Sequence, residues 1–279
     1  MGRNKGIEKL VCFGCSFVEG AAIEDKTDQW VGERFSFPTI LASKLGTSEF
    51  YNYGKSGMGN ESILRRIHWH FNSNTNYENT LVVIGLSGIT RLEIYSVYRQ
   101  RYFDHHLFDY AHNDLEEVNN TYARRAKKWL GNSELTNSFK TYVDIEQKYF
   151  FDLKSKQEKL QWQITHLDGY FKNKGIRYVI FNSVEDNIDP IKKNINYMSL
   201  VNTQEHKDIN LTGLNKIEDT WYNKLRLDHY YNVNKDFNCT KTRSSKPPYG
   251  KYFCNGHPSP NAHEEITTNI LNYIDENNI

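Results

Sequence analysis

Short apolar runs alternate with amphipathic stretches along much of the chain. "KLVCFG" (9–14), "FYNYG" (50–54), "NTLVVIGLS" (79–87) and "IRYVIFN" (176–182) are compact and rich in β-branched or aromatic residues, which predicts four strands. Helical spacing fills the intervals. Pro38 and Gly46 bound a predicted helix over 36–46. In "NESILRRIHWHF" (60–71), Ile63, Ile67 and Phe71 share a face and Asn60 is placed to cap. "KLQWQITHLDGYFKNKG" (159–175) is amphipathic and stops at Gly175, and "NAHEEITTNILNYIDEN" (261–277) has the spacing of a further helix. Alternating strands and helices predict an α/β fold, a parallel sheet with helices on both faces. Right-handed crossovers then gather the turns after the strands on one edge. Ser16, the loop of Gly57 and the segment after Ile84 fall on that edge.

Two regions break the alternation. Residues 96–150 ("YRQRYFDHHLFDYAHNDLEE" within them) read as a helical insertion, and residues 184–250, polar and rich in Asn and Lys, read as loop with some helix. A chain of 279 residues fits one large α/β domain or two small ones. We read one domain over 1–279 carrying insertions at about 96–150 and 184–250.

Charge narrows the partners. Lys and Arg total 35 against 34 acidic residues, a net charge of +1, which gives no sign of a nucleic-acid or membrane-surface binder. No stretch approaches the roughly 20 apolar residues that span a bilayer. The start, "MGRNKGIEKLVCFG", lacks a signal-peptide apolar region and a myristoylation signal, so the expected location is cytoplasmic, with assembly into a virus particle as a variant of that reading. The 19 Tyr suit a surface for sugars or proteins, and the oligomeric state is open.

The candidate chemistry begins at "VCFGCSFVEG" (11–20). Ser16 follows the first strand and is either a nucleophile or a helix N-cap. Cys15 is a rival nucleophile. Cys12 and Cys15 have redox-motif spacing, but no second CxxC completes a four-thiolate metal site. His68 and His70 are two apart on a helix and point to different faces, and His105 and His106 are adjacent. No metal or cofactor is expected.

Four pieces occur in a telling order: "FGCSFVEG", "NYGKSGMGNES", "VVIGLSGITR" and "CNGHPSPNAHEEI". This order resembles the SGNH or GDSL-like hydrolases, in a divergent branch with Gly-Cys-Ser-Phe in place of Gly-Asp-Ser-Leu that is common in phages and bacteria. The resemblance covers roughly 8–95, 160–182 and 252–275. It implies a three-layer α/β/α sandwich with a flavodoxin-like, mostly parallel sheet. Ser16 matches the nucleophile, Gly57 a glycine whose amide donates to the oxyanion, and His257 the base. His263 is read as a first-turn helix residue. A serine hydroxyl attacks only when a base takes its proton, and the developing oxyanion needs fixed donors. Val18 stands two residues after Ser16, so this is not the Gly-x-Ser-x-Gly elbow.

The chain departs from the family at two places. Where the third piece usually supplies an asparagine donor, "IGLSGITR" offers Ser87 or Thr90, so the expected oxyanion hole is Ser16, Gly57 and Ser87. Where an aspartate usually precedes the histidine, Cys254 and Asn255 stand, so Asn255 is the expected orienting group, with Asp25, Glu19 and Glu93 as the alternative acids. The function implied is a serine esterase acting on a small-molecule or glycan ester, such as a carbohydrate O-acetyl group. The alternative is a catalytically silent module of this fold that binds glycan or builds a virus particle.

Overall fold

The computed structural model describes residues 6–21, 32–73, 76–89, 91–97, 100–106, 138, 141–142, 145–183, 197–199, 253–254, 257–258 and 260–279. Its centre is a parallel sheet of β1 (Lys9–Gly14), β2 (Glu49–Asn52), β3 (Thr80–Leu86), β6 (Arg177–Asn182) and β7 (Tyr197–Ser199), in the order β2-β1-β3-β6-β7. Numbered among themselves, these five run 2-1-3-4-5. The order reverses between β1 and β3, and ligands of open α/β sheets bind beyond the carboxyl ends of the strands at such a point.

Register divides the side chains between two cores. Val11 pairs with Val82, and Val82 with Tyr178, so alternate residues of three strands point the same way. Leu10, Cys12, Leu81, Val83, Val179 and Phe181 join one buried cluster with Phe37 and Leu41 of α3 (Phe37–Leu45) and Ile266 and Ile270 of α6 (Pro260–Asn277). Val11, Phe13, Val82, Ile84, Tyr178 and Ile180 join the other with Ile63 and Ile67 of α4 (Asn60–Ser73) and Ile164 and Phe171 of α5 (Leu153–Lys174). Every residue of β3 is buried, as a strand covered on both faces requires. At about 25 cal/mol per Å² of apolar surface, these two clusters are the main source of stability.

The predicted strands and helices appear close to their expected bounds, with α5 starting earlier because Asp152 caps it, its carboxylate accepting the Ser155 amide at 2.8 Å. Three expectations are corrected. The start of the 96–150 insertion is not helical: β4 (Arg91–Ser96) and β5 (Arg101–His106) form an antiparallel hairpin, turned at Gln100 with φ of 50°. Leu92 and Ile94 alternate with charged residues, a period-2 pattern that the surrounding charge obscures. Within 184–250, residues 197–199 add an edge strand, β7. Asn60 is a helical residue of α4 rather than its cap, because its carboxamide is engaged elsewhere. Residues 107–137 and 200–252 lie outside the description. The remaining elements are α1 (Ser16–Glu19), α2 (Gly32–Phe35), a π-helical turn (Glu146–Phe150) at the end of the 96–150 insertion, and the two-residue strands β8 (Phe253–Cys254) and β9 (His257–Pro258). No helix among the described residues is long and apolar enough to cross a membrane.

Candidate active site

β1 leads through Cys15 into α1, one turn of helix lying at the switch point of the sheet. Cys15 has extended backbone angles and is the N-cap, so Ser16 is the first helical residue and not a cap. The turn closes when Gly20, in the left-handed region at φ of 78°, donates its amide to the Ser16 carbonyl. Ser16 is buried at 3% exposure. Cys15 is fully buried, its Sγ 3.6 Å from Ser183 Oγ, so this thiol belongs to the packed floor beneath the turn. Cys12 lies in the core, where burial drives its thiol far above the ordinary range.

The loop of residues 53–59 is laced to α1 and β1. The Lys55 amide donates to the Gly14 carbonyl at 3.0 Å, and Asn52 Nδ2 donates to the Val18 carbonyl at 3.1 Å. Gly54 packs so closely that a Cβ there would lie 2.5 Å from the Glu19 nitrogen. Lys55 to Met58 form a β-turn, in which the Met58 amide donates to the Lys55 carbonyl at 3.2 Å and Gly57 holds φ of 86°. A positive φ at the third residue is the mark of a type II turn and favours glycine. Gly57 is exposed, and no described residue accepts its amide hydrogen.

His257 reaches the same place from the far end of the chain. On β9, half-buried, its ring lies 5.6 Å from that of Phe17, the residue after Ser16. β9 pairs with β8 through Cys254 and His257. Asn255 lies outside the described residues, as do Thr90 and Asp25. The other two carboxylates weighed for His257 have different partners. Glu19 Oε2 accepts the Ser56 amide at 2.7 Å and the Ser56 hydroxyl. Glu93 accepts from Arg65 Nε at 3.0 Å and from the Ser62 hydroxyl.

Ser87, beyond β3, is fully buried. Its amide donates to Asn60 Oδ1 at 2.7 Å, and its Oγ accepts from the Arg91 guanidinium at 3.0 Å. The Ser87 amide is therefore engaged by Asn60, and its hydroxyl oxygen by Arg91. The structure thus packs His257 against Phe17 of α1 and ties the turn that holds Gly57 to α1 through Glu19.

His263 is the buried histidine of α6. Its Nδ1 accepts the Phe37 amide at 3.1 Å, which satisfies a free donor at the start of α3, and its ring stacks on Phe37. The proton then sits on Nε2, the only buried side-chain nitrogen or oxygen among the described residues without a hydrogen-bond partner. Burial first, and then nearby His257, lower its pKa to about 3. Such a residue stays neutral and structural at pH 7, as its first-turn position suggests. His70 Nδ1 lies 3.1 Å from Tyr53 Oη, whereas His68 pairs with Asn72, so the two are separate as their spacing requires.

Three polar tethers escape a reading of the sequence: Asn60 to Ser87, Glu19 to Ser56, and Asp104 to Gly59. Asp104, on β5, accepts the Gly59 amide at 2.8 Å and contacts Ser62 Oγ at 2.9 Å. Burial first raises its pKa to about 6, with Glu93 adding to the rise and the Gly59 amide, Ser62 and Arg65 opposing it. Ser62 Oγ thus lies between two carboxylates, Asp104 and Glu93, and is within hydrogen-bond reach of both. The nearest signal in the sequence is the pair of polar residues opening α4, Asn60 and Ser62.

Comparison with known proteins adds a family. A model described as a family of unknown function (DUF6071) matches residues 22–214, a span that contains Gly57 and Ser87 but neither Ser16 nor His257. Solved structures overlap part of the chain. A lipolytic protein of the G-D-S-L family from Desulfitobacterium hafniense is 13% identical, with 62% of this chain and 77% of that chain covered at a TM-score of 0.25. A member of the lipolytic protein G-D-S-L family from Veillonella parvula is 13% identical, with 63% and 78% covered at a TM-score of 0.25. No curated protein matches.

Proposed function

We propose that this chain, which belongs to the DUF6071 family of unknown function, is a serine hydrolase of the SGNH type that cleaves an ester. The observation that carries the reading is the packing of His257 against Phe17, because it sets the expected base beside the helix that begins at the expected nucleophile. The reading takes the parallel sheet and its two helix-covered cores as a flavodoxin-like, three-layer α/β/α sandwich.

Ser16 Oγ attacks the ester carbonyl carbon as His257 accepts its proton. The carbonyl oxygen becomes the oxyanion and receives the Ser16 and Gly57 amides. The intermediate collapses to the acyl-serine, and His257 returns the proton to the leaving alcohol. Water then repeats the sequence, with His257 as base, and releases the acid. Asn255 is the proposed orienting group for the imidazole. A carbohydrate O-acetyl ester is the proposed substrate, supported by the exposed rings of Tyr51 and Trp69 on the side of β2 and α4.

Hydrolysis of p-nitrophenyl acetate tests this. The chain should turn over the ester, and Ser16→Ala should lower kcat at least about 1,000-fold, as loss of a nucleophile does. Activity that survives Ser16→Ala sinks the assignment. A second reading, a silent glycan-binding module of the same fold, is favoured by the lack of a carboxylate at Cys254 and Asn255 before His257. That reading has no turnover by the folded wild type.

A further inference from the structure

We infer that Glu19 and Asp104 are positioning residues that clamp the turn carrying the Gly57 amide, an inference that rests on the hydrolase reading above. The turn has one unusual element, the peptide between Ser56 and Gly57. In a β-turn this central peptide is the group that rotates when the turn changes type, and its N–H is the proposed oxyanion donor. Gly57 has no side chain to hold it and is exposed. Its orientation must therefore come from its neighbours.

Two carboxylates supply that restraint from opposite sides. On the near side, one oxygen of Glu19 takes both the amide (2.7 Å) and the hydroxyl of Ser56. Glu19 ends the helix that Ser16 begins, so the donor turn and the nucleophile are fixed to one element. On the far side, Asp104 Oδ1 takes the Gly59 amide at 2.8 Å. Asp104 lies on the β4–β5 hairpin and is itself fixed by Ser62 of α4. The Glu93 carboxylate opposite it is neutralised by Arg65 at 3.0 Å. Carboxylate acceptors hold amides more strongly than neutral ones, and that strength counts where water competes for an exposed turn. Between the two anchors only Gly57 and Met58 remain, and Met58 is buried.

The test uses the full chain with Glu19→Ala, Glu19→Gln, Asp104→Ala and Asp104→Asn. Amide hydrogen exchange at Ser56, Gly57 and Gly59 is read beside kcat and KM for p-nitrophenyl acetate. The alanine variants should raise exchange at Ser56 (Glu19→Ala) or Gly59 (Asp104→Ala) by about 10-fold or more. They should lower kcat about 10- to 100-fold with KM within about 2-fold, the range for weakening one oxyanion donor. The Gln and Asn variants keep an acceptor oxygen, keep the fold, and should restore most of both signals. Unchanged exchange in the alanine variants overturns the clamp, whatever the activity. Raised exchange with unchanged kcat in an active enzyme overturns the positioning role. An inactive wild type whose turn still loosens in the alanine variants overturns the hydrolase reading and, with it, the oxyanion role of the turn.

Discussion

Asn60 grips the backbone of Ser87 with both ends of its carboxamide, accepting the Ser87 amide at 2.7 Å and donating to the Ser87 carbonyl at 2.9 Å. The pair is buried and joins the start of α4 to the carboxyl end of β3, where the sheet order reverses. A residue whose type and position suit a helix cap thus acts as a tether between two elements that flank the candidate site.

The tether gives a stability prediction. Asn60→Ala removes the partner of a buried N–H and of a buried C=O, each loss costing about 1–3 kcal/mol. Urea unfolding should show a loss of roughly 2–6 kcal/mol. Asn60→Asp keeps the acceptor but loses the donor, and should also be destabilised, by less than alanine only if the new carboxylate takes up a proton. A loss below about 0.5 kcal/mol for Asn60→Ala would remove the tether.

Gly54 makes a second prediction. A Cβ at this position meets backbone atoms, 2.5 Å from the Glu19 nitrogen and 2.7 Å from the Val18 carbonyl carbon, so no flexible side chain is there to yield. Gly54→Ala should cost about 1–3 kcal/mol, the ordinary range for overpacking, and should displace the 53–59 loop from α1. Gly46→Ala is the control for strain without crowding, because Gly46 has φ of 69° and open space around its Cβ position. Equal losses of stability together with an undisturbed amide spectrum of residues 53–59 in Gly54→Ala would contradict the close approach.

The pH dependence of stability separates the buried His263 from the half-buried Asp104, which act with opposite sign. His263 titrates near pH 3 in the folded chain against an ordinary 6.5, so its contribution is full above pH 6.5 and is lost as pH falls from there toward 3. Asp104 titrates near 6 against an ordinary 3.8, so its contribution is full below pH 3.8 and is lost as pH rises through 6. Each pH unit inside a window is worth about 1.4 kcal/mol, and between about pH 4 and 6 the two slopes oppose. His263→Asn keeps an acceptor for the Phe37 amide and removes the first slope, so that variant should gain stability relative to wild type on acidification from pH 6.5 to 5. Asp104→Asn should lose relative to wild type over the same interval. Urea midpoints at the two pH values measure both, and a reversed sign in either variant contradicts the corresponding burial.

Much of the fold is legible in the sequence because burial on both faces writes itself as apolar runs. "NTLVVIGLS" becomes β3 with every residue buried, and Ile63, Ile67 and Phe71 meet one core as their spacing predicts. The β4–β5 hairpin is not legible, because its alternation is short and set in a charged, aromatic segment. The site divides in the same way. Ser16, Gly57 and His257 are visible through local patterns. Their supports are not: the partner of Glu19 is Ser56 and that of Asp104 is Gly59, pairings made by the fold across 37 and 45 positions. The bond from the Ser87 amide to Asn60, across 27 positions, is hidden in the same way.

The most direct test of the central claim is covalent labelling of the folded chain with a fluorophosphonate probe, read by intact mass and peptide mapping. A nucleophilic Ser16 served by His257 predicts one adduct per chain, on the peptide holding Ser16, abolished by Ser16→Ala and strongly slowed by His257→Ala. A folded chain that takes up no probe, or takes it up elsewhere, contradicts it.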